Sequence, residues 1–265
     1  MSKFNHSNKS IKYWVDGFIG LISFSTILPL NIHTSIKEMA SYIWLWPIIG
    51  AGIGIIVGAF GFLVIDLIHM PQLIAAALIY SFSIWFTGFH HLDGLIDFGD
   101  GMMVHGTVEK KIEVMRDKRI GTGGMAYLLI VGLITFASIA SIPLGLIFYI
   151  IIISEIAAKM GIVSCATFSK AYPNGTGKYF INAMNMKTLI ISYILTSSIG
   201  FLIFNILGII GITIGILSGT LVALIAKKNF KWATGDILGT SNEVSKMLTI
   251  LILVVLANHL NFISF

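Results

Sequence analysis

Long apolar runs alternate along this chain with short polar stretches, and most of the runs are about as long as a membrane crossing. A crossing helix needs about 20 mostly apolar residues. About seven segments approach or meet that: 43–65, 72–89, 125–141, 144–163, 188–204, 208–226 and 247–263. Ahead of them, 13–30 is a shorter apolar stretch ending near Pro29, which is expected to lie in the interface or re-enter. The pattern predicts an all-α, polytopic integral membrane protein.

Composition agrees. The chain is 56% hydrophobic and only 11% charged, with a mean hydropathy of +0.92. Soluble domains carry about a quarter charged residues, which excludes that class. One membrane-embedded domain over 1–265 is expected. The start, MSKFNHSNKSIKYW, lacks the layout of a cleavable signal peptide. The single Cys165 excludes an internal disulfide.

The placement of cations says more than the net charge of +5. Lys3, Lys9, Lys12 and Lys37 precede the first crossing. Lys110, Lys111, Arg116, Lys118 and Arg119 lie between the second and third; Lys170, Lys178 and Lys187 lie between the fourth and fifth. Lys227, Lys228, Lys231 and Lys246 lie between the sixth and seventh. The other connections carry no Lys or Arg. By the positive-inside rule the chain is a multi-pass cell-membrane protein with a cytoplasmic N-terminus and an outside C-terminus. The long polar connections then place the chemistry at the cytoplasmic face. Gly50, Gly54 and Gly58, and Gly211, Gly215 and Gly219, form small-residue stripes that allow close helix packing and permit a homo-oligomer.

The longest polar connection opens with His90-His91-Leu92-Asp93-Gly94-Leu95-Ile96-Asp97-Phe98-Gly99-Asp100-Gly101. On a helix, Asp93, Asp97 and Asp100 at i, i+4 and i+7 fall on one face. Three anions on one stripe call for compensation, and a hard divalent cation with oxygen ligands, Mg²⁺ or Mn²⁺, supplies it. His91 is a candidate base, or a hydrogen-bonding neighbour of the acids. The segment continues through Arg116, Asp117, Lys118 and Arg119 to Gly121-Thr122-Gly123-Gly124. Guanidinium forks and exposed backbone N–H groups at a helix start suit a polyphosphate. Acids for a metal beside bases for phosphate point to Mg²⁺-assisted phosphoryl transfer. An ordinary positive loop touching lipid head groups is the alternative for the basic half.

Other polar groups are less specific. Asp236 and Glu243 in Thr234-Gly235-Asp236-Ile237-Leu238-Gly239-Thr240-Ser241-Asn242-Glu243 share a helical face; they complete the site, or are a cap and a solvated acid. Glu155 and Lys159 at i, i+4 inside a crossing are either functional or mutually neutralising. Lys170 to Lys178, KAYPNGTGK, is most simply a turn-rich loop.

HHLDGLIDFGDG, then IEVMRDKRIGTGG, then TGDILGTSNE, with Pro47, Gly50 and Gly54 of WPIIGAGIG ahead of them, resemble the cobalamin synthase family, the adenosylcobinamide-GDP ribazoletransferases. Departures occur at Ile27, Glu155 and Gly123, and at Tyr172, where the family often has Arg. The resemblance implies a single transferase domain whose small-molecule substrates are adenosylcobinamide-GDP and α-ribazole (or its 5′-phosphate). Its expected products are adenosylcobalamin (or its 5′-phosphate) and GMP, with Mg²⁺ as cofactor. It implies Asp93, Asp97 and Asp100 on the metal, and Asp100 or His91 as proton acceptor. Arg116, Lys118 and Arg119, with Asp117, Gly121, Thr122, Asp236 and Glu243, would bind substrate phosphate. The lipid bilayer is an expected partner and nucleic acid is not. A CDP-alcohol phosphotransferase is a rival, weakened because Asp93-Gly94 lacks the Ala-Arg that comes next in that class. An ion-coupled transporter relaying through Asp93, Glu155 and Lys159 is another.

Overall fold

The computed structural model describes residues 15–30 and 32–259. Its elements in chain order are α1 (Val15–Ser25), α2 (Ile36–Ala40), a 3₁₀ turn (Ile43–Leu45), α3 (Trp46–Phe62) and a π turn (Leu63–Leu67). Next come α4 (Gln72–Phe86), α5 (His90–Met103), α6 (Val108–Val114), α7 (Thr122–Ala140), α8 (Ile147–Phe168), α9 (Gly177–Ala183), α10 (Met186–Phe230) and α11 (Gly235–His259). Among the described residues the β pairing is one isolated bridge, Ala171 to Ala233.

Helix α8 is the axis of the bundle, with 89% of its most apolar stretch buried. Glycines on both sides bring its neighbours to backbone contact. A Cβ on Gly50 of α3 would lie 2.5 Å from the Glu155 carbonyl oxygen, and one on Gly54 would lie 2.7 Å from Ile152 Cα. On the opposite side, Gly215 and Gly219 of α10 leave no room for a Cβ against the Ala157 and Gly161 carbonyls. The small-residue stripes therefore serve internal packing. The outer faces carry Leu133, Leu144, Ile194, Leu202 and Leu217, all strongly exposed, as a lipid-facing surface requires.

Five helical stretches are long and apolar enough to cross a membrane, six if the bent pair α4–α5 is one span. The 45-residue α10 is itself two arms. Phe204 and Asn205 leave helical geometry, Asn205 at φ 49°. The Tyr193 and Thr213 hydroxyls lie 2.9 Å apart across the break, where a straight helix would separate these residues by about 30 Å. Gly200 and Gly208 meet backbone to backbone inside the hairpin. The expected division of 188–204 from 208–226 corresponds to these arms.

Two boundaries differ from expectation. The expected span 72–89 stops as a helix at Phe86; Gly88 (φ 71°) and Phe89 (φ 64°) take left-handed geometry. The chain then turns 93° into α5. Left-handed geometry at Phe89 costs about 1–2 kcal/mol, so the corner is held by the packing of α5 on its neighbours. The last span begins at Gly235 rather than 247, because its polar first half is buried in the bundle. Lys246, expected in a loop, is 3% exposed inside it. Helix α1, at about 16 Å by its rise per residue, is too short to cross. It is tied to the end of α4 by the Ile27 N–H on the Phe86 carbonyl at 3.0 Å.

The hairpin has a direct test. With Tyr193→Cys and Thr213→Cys in one chain, a short bifunctional thiol reagent is expected to crosslink the arms. The native Cys165 is fully buried and does not compete. No crosslink after complete labelling of both cysteines would leave α10 straight.

Candidate functional site

The corner at Gly88–Phe89 lays α5 across the ends of α7 and α11. Contact with α11 is close because Gly94 has no side chain: a Cβ there would lie 2.7 Å from the Asp236 carbonyl oxygen. The Thr240 hydroxyl donates to the Gly94 carbonyl at 3.0 Å and locks the crossing. Asp236, at the start of α11, is thereby held over the α5 acids. Its carboxylate also accepts from the Thr234 hydroxyl at 3.0 Å. Asp93, Asp97 and Asp236 are near enough for their charges to act on one another.

The three acids of the stripe differ. Asp93 is exposed and lines a cavity of about 190 Å³, and Asp97 beside it is half-buried. Asp100 is 8% exposed and both its oxygens are used. Gly121 N–H donates to Oδ2 at 2.8 Å and Gly124 N–H donates to Oδ1 at 2.8 Å. Asp100 thus caps α7. The backbone N–H groups expected to face phosphate at Gly121 and Gly124 are already satisfied, and Thr122 stands exposed at the first turn.

The aromatic cavity around Asp93 has Phe24 of α1, Trp46 of α3 and Phe180 of α9 as its wall. Phe180 stacks on Trp46 at 5.4 Å and on Phe24 at 5.6 Å. His90 stacks on Phe24 at 5.9 Å. His91 is buried against Trp46 and also lines the cavity. Sequence reasoning missed Phe24 and Phe180, because isolated aromatics in apolar runs look like core.

Asp236, Gly235, Thr176 and Gly177 also border a second pocket of about 190 Å³. That pocket shares Arg116, Tyr172 and Asn174 with a basin of about 690 Å³. The three adjoin in series, each sharing lining residues with the next, and together form a segmented groove. The loop 169–176, expected to be a plain turn, forms its middle. Tyr172 N–H donates to the Ala233 carbonyl at 2.9 Å and Ala233 N–H to the Lys170 carbonyl at 2.8 Å. This pins the loop to the α10–α11 connection. Gly177 is required there, since a Cβ would lie 2.5 Å from Gly235 N. The run of Gly and Lys in KAYPNGTGK was the available signal.

Arg116 stands at the junction of pocket and basin. Its guanidinium lies 4.7 Å from the Tyr172 ring centre and donates to the Asn174 carbonyl. Asp117 lines the basin but binds Arg119, with Nη2 at 2.7 Å. Those hydrogen bonds hold the Asp117 carboxyl down at about 2. Arg119 is committed to that exposed pair, and Lys118 is exposed; neither borders the groove.

Glu243 is the clearest departure. It is 4% exposed and accepts from Asn242 Nδ2 at 2.8 Å inside the bundle, so it does not share the groove with Asp236. Asn242 also accepts from Lys159 at 2.7 Å. Glu155 pairs not with Lys159, four residues on, but with Lys246 of α11 at 2.8 Å. Ser83 of α4 donates to the same carboxylate oxygen at 2.9 Å. These charges pair across helices, and none of them lines the groove.

Among the described residues no three acidic, His or Cys side chains converge as a ready metal cage. Asp93 and Asp236 offer carboxylate oxygens beside open space, while Asp97, half-buried and within reach of their charges, borders none of the three compartments. That donor set suits Mg²⁺, which keeps water and substrate phosphate among its ligands and needs only one or two carboxylates. It does not suit a closed structural site.

The fold is that of a polytopic α-helical membrane protein with a polar groove at one end of its bundle. Residues 17–254 match the family described as cobalamin-5-phosphate synthase, and the chain belongs to that family. It is 33% identical over 258 residues to the adenosylcobinamide-GDP ribazoletransferase of Methanosarcina barkeri, covering 88% of this chain and 89% of the relative. With the enzyme of the same name from Methanococcoides burtonii it shares 31% over 249 residues, 90% of this chain and 91% of the other. No solved structure matches. Family membership removes the CDP-alcohol phosphotransferase alternative.

Asp100→Ala is expected to lower stability by about 2 kcal/mol, because two N–H donors lose a charged acceptor at a helix start. Thermal unfolding in detergent measures it. An unchanged midpoint would make the cap energetically idle.

Proposed function

We propose that this protein joins adenosylcobinamide-GDP to α-ribazole, or to its 5′-phosphate, releasing GMP. A ribose hydroxyl of α-ribazole attacks the phosphorus nearer cobinamide. The new O–P bond forms as the bond to the GMP oxygen breaks, and the hydroxyl proton passes to a base. The observation that carries this reading is the continuity of the groove. Carboxylates stand at one end, a guanidinium stands further along, and the space between suits a long, charged, two-part substrate. The names of the relatives support the same reaction.

Bound Mg²⁺ would draw charge from the diphosphate and favour departure of GMP. Asp93 and Asp97 would hold it, with Asp236 opposite. Arg116, kept rigid by Tyr172 and Asn174, offsets charge on the phosphate of the leaving group. The flat wall of Phe24, Trp46 and Phe180 orients an aromatic base beside Asp93. His91 and Asp93 both face that cavity, and either accepts the proton. Asp100 serves by fixing α7.

The groove is proposed to open to the cytoplasm of the cell membrane. The connections between α5 and α7, between α8 and α10, and between α10 and α11 all border it, and they carry eight of the 17 Lys and Arg residues. On this reading the N-terminus is inside and the C-terminus outside.

Purified protein is expected to release GMP from adenosylcobinamide-GDP only with α-ribazole and Mg²⁺. Asp93→Asn and Asp97→Asn should each slow release by about 100-fold or more at unchanged thermal stability. Full turnover by both would overturn the metal assignment. For orientation, Lys118→Cys should react with an impermeant maleimide in inverted vesicles and not in intact cells; the reverse result would invert the topology.

A further inference from the structure

The 690 Å³ basin is much the largest of the three compartments, and it lies beyond Arg116 from the α5 carboxylates. It has the volume of a small-ligand site. Its apolar side is built from Ile112, Tyr172 and Trp232, the two rings meeting edge to face at 5.7 Å. Its polar side is the acidic edge of α6 and the turn after it: Glu109, Glu113 and Asp117.

These three carboxylates are not equivalent. Glu109 is engaged by the Thr107 hydroxyl and its own backbone N–H. Asp117 is engaged by Arg119 at both oxygens. Glu113 has one exposed partner, Lys110, which reaches Oε2 at 3.0 Å. Among the described residues none reaches its Oε1. Glu113 is also one helical turn before Arg116, so a reader of a base edge and a binder of phosphate stand side by side on the same rim.

We propose that this basin is the guanosine subsite, with Glu113 reading the N1–H and N2–H₂ edge of guanine and Trp232 packing on the base. The proposal rests on the transfer reaction above, which makes a guanine nucleotide the leaving group. Guanine presents two adjacent donors on that edge, and a carboxylate has acceptors only, so the pairing is complementary. Adenine offers an acceptor at the N1 position and is repelled; hypoxanthine keeps N1–H and loses the N2 amino group. With the nucleoside in the basin, its phosphate lies at Arg116 and the transferred phosphorus lies toward Asp93. The aromatic cavity is then left for the α-ribazole base.

The test is donor selectivity in the full-length purified enzyme. Cobinamide donors carrying guanosine or inosine diphosphate are compared for kcat/KM. Wild type is expected to prefer guanine by about 10-fold or more, the loss of one hydrogen bond to a charged acceptor. Glu113→Gln should cut that preference to about twofold and weaken product inhibition by GMP, with the KM for α-ribazole unchanged. Glu113 is exposed, and an unchanged unfolding midpoint confirms an intact fold. Trp232→Ala should weaken both donors equally, keeping the ratio. Retention of the full guanine preference in Glu113→Gln overturns the subsite while leaving the transfer reaction standing. Failure of wild type to release a nucleotide from either donor overturns both.

Discussion

A carboxylate and an ammonium group, Glu155 and Lys246, meet at 2.8 Å inside an apolar bundle, each almost wholly buried. Removing either charge from water alone costs several kcal/mol, so neither helix can take its position without the other. The pair joins α8 to α11, and Ser83 adds α4 to the same cluster. Breaking it by losing one partner strands a charge, at about 3–5 kcal/mol. This requirement sets the height of α11 in the bundle, and with it the level at which Asp236 meets α5. The chemistry at the end of the bundle therefore inherits its geometry from an ion pair that never touches it.

Much of this was legible in the sequence, for physical reasons that can be named. The crossings announce themselves by length and apolarity, and the break between the arms of α10 falls where the hydrophobic run pauses at Asn205. The acids of α5 share a face because helical period alone dictates it. Period says nothing about partners on other helices. Glu155 and Lys159 look like a pair because they are near in sequence, yet both bond to α11. Lys246 reads as a loop cation because charge is the signal for a loop. The 169–176 loop carries no periodic signal, and its role comes from the bridge at Ala171 and Ala233.

The aspartates of α5 show how one residue type divides its labour over two turns. Asp100 is covered by the start of α7, which it caps; Asp93, on the same face two turns earlier, borders open space. The Asp100 cap also anchors the far end of the 104–121 connection that carries Arg116. Glycine plays the matching part on the backbone side. At Gly94 and Gly177 the missing Cβ lets two chains approach closely enough for their side chains to share one groove.

The 93° corner before α5 has an electrical consequence. With α4 along the membrane normal, α5 at 93° to it runs close to the membrane plane, and Asp93 and Asp97 stand at nearly one depth. A full charge crossing the bilayer gains or loses about 2.3 kcal/mol per 100 mV of membrane voltage. Charge displaced along α5 crosses almost none of that drop. An anionic phosphate group moving beside α5 would thus feel nearly the same landscape in an energised membrane as in a depolarised one.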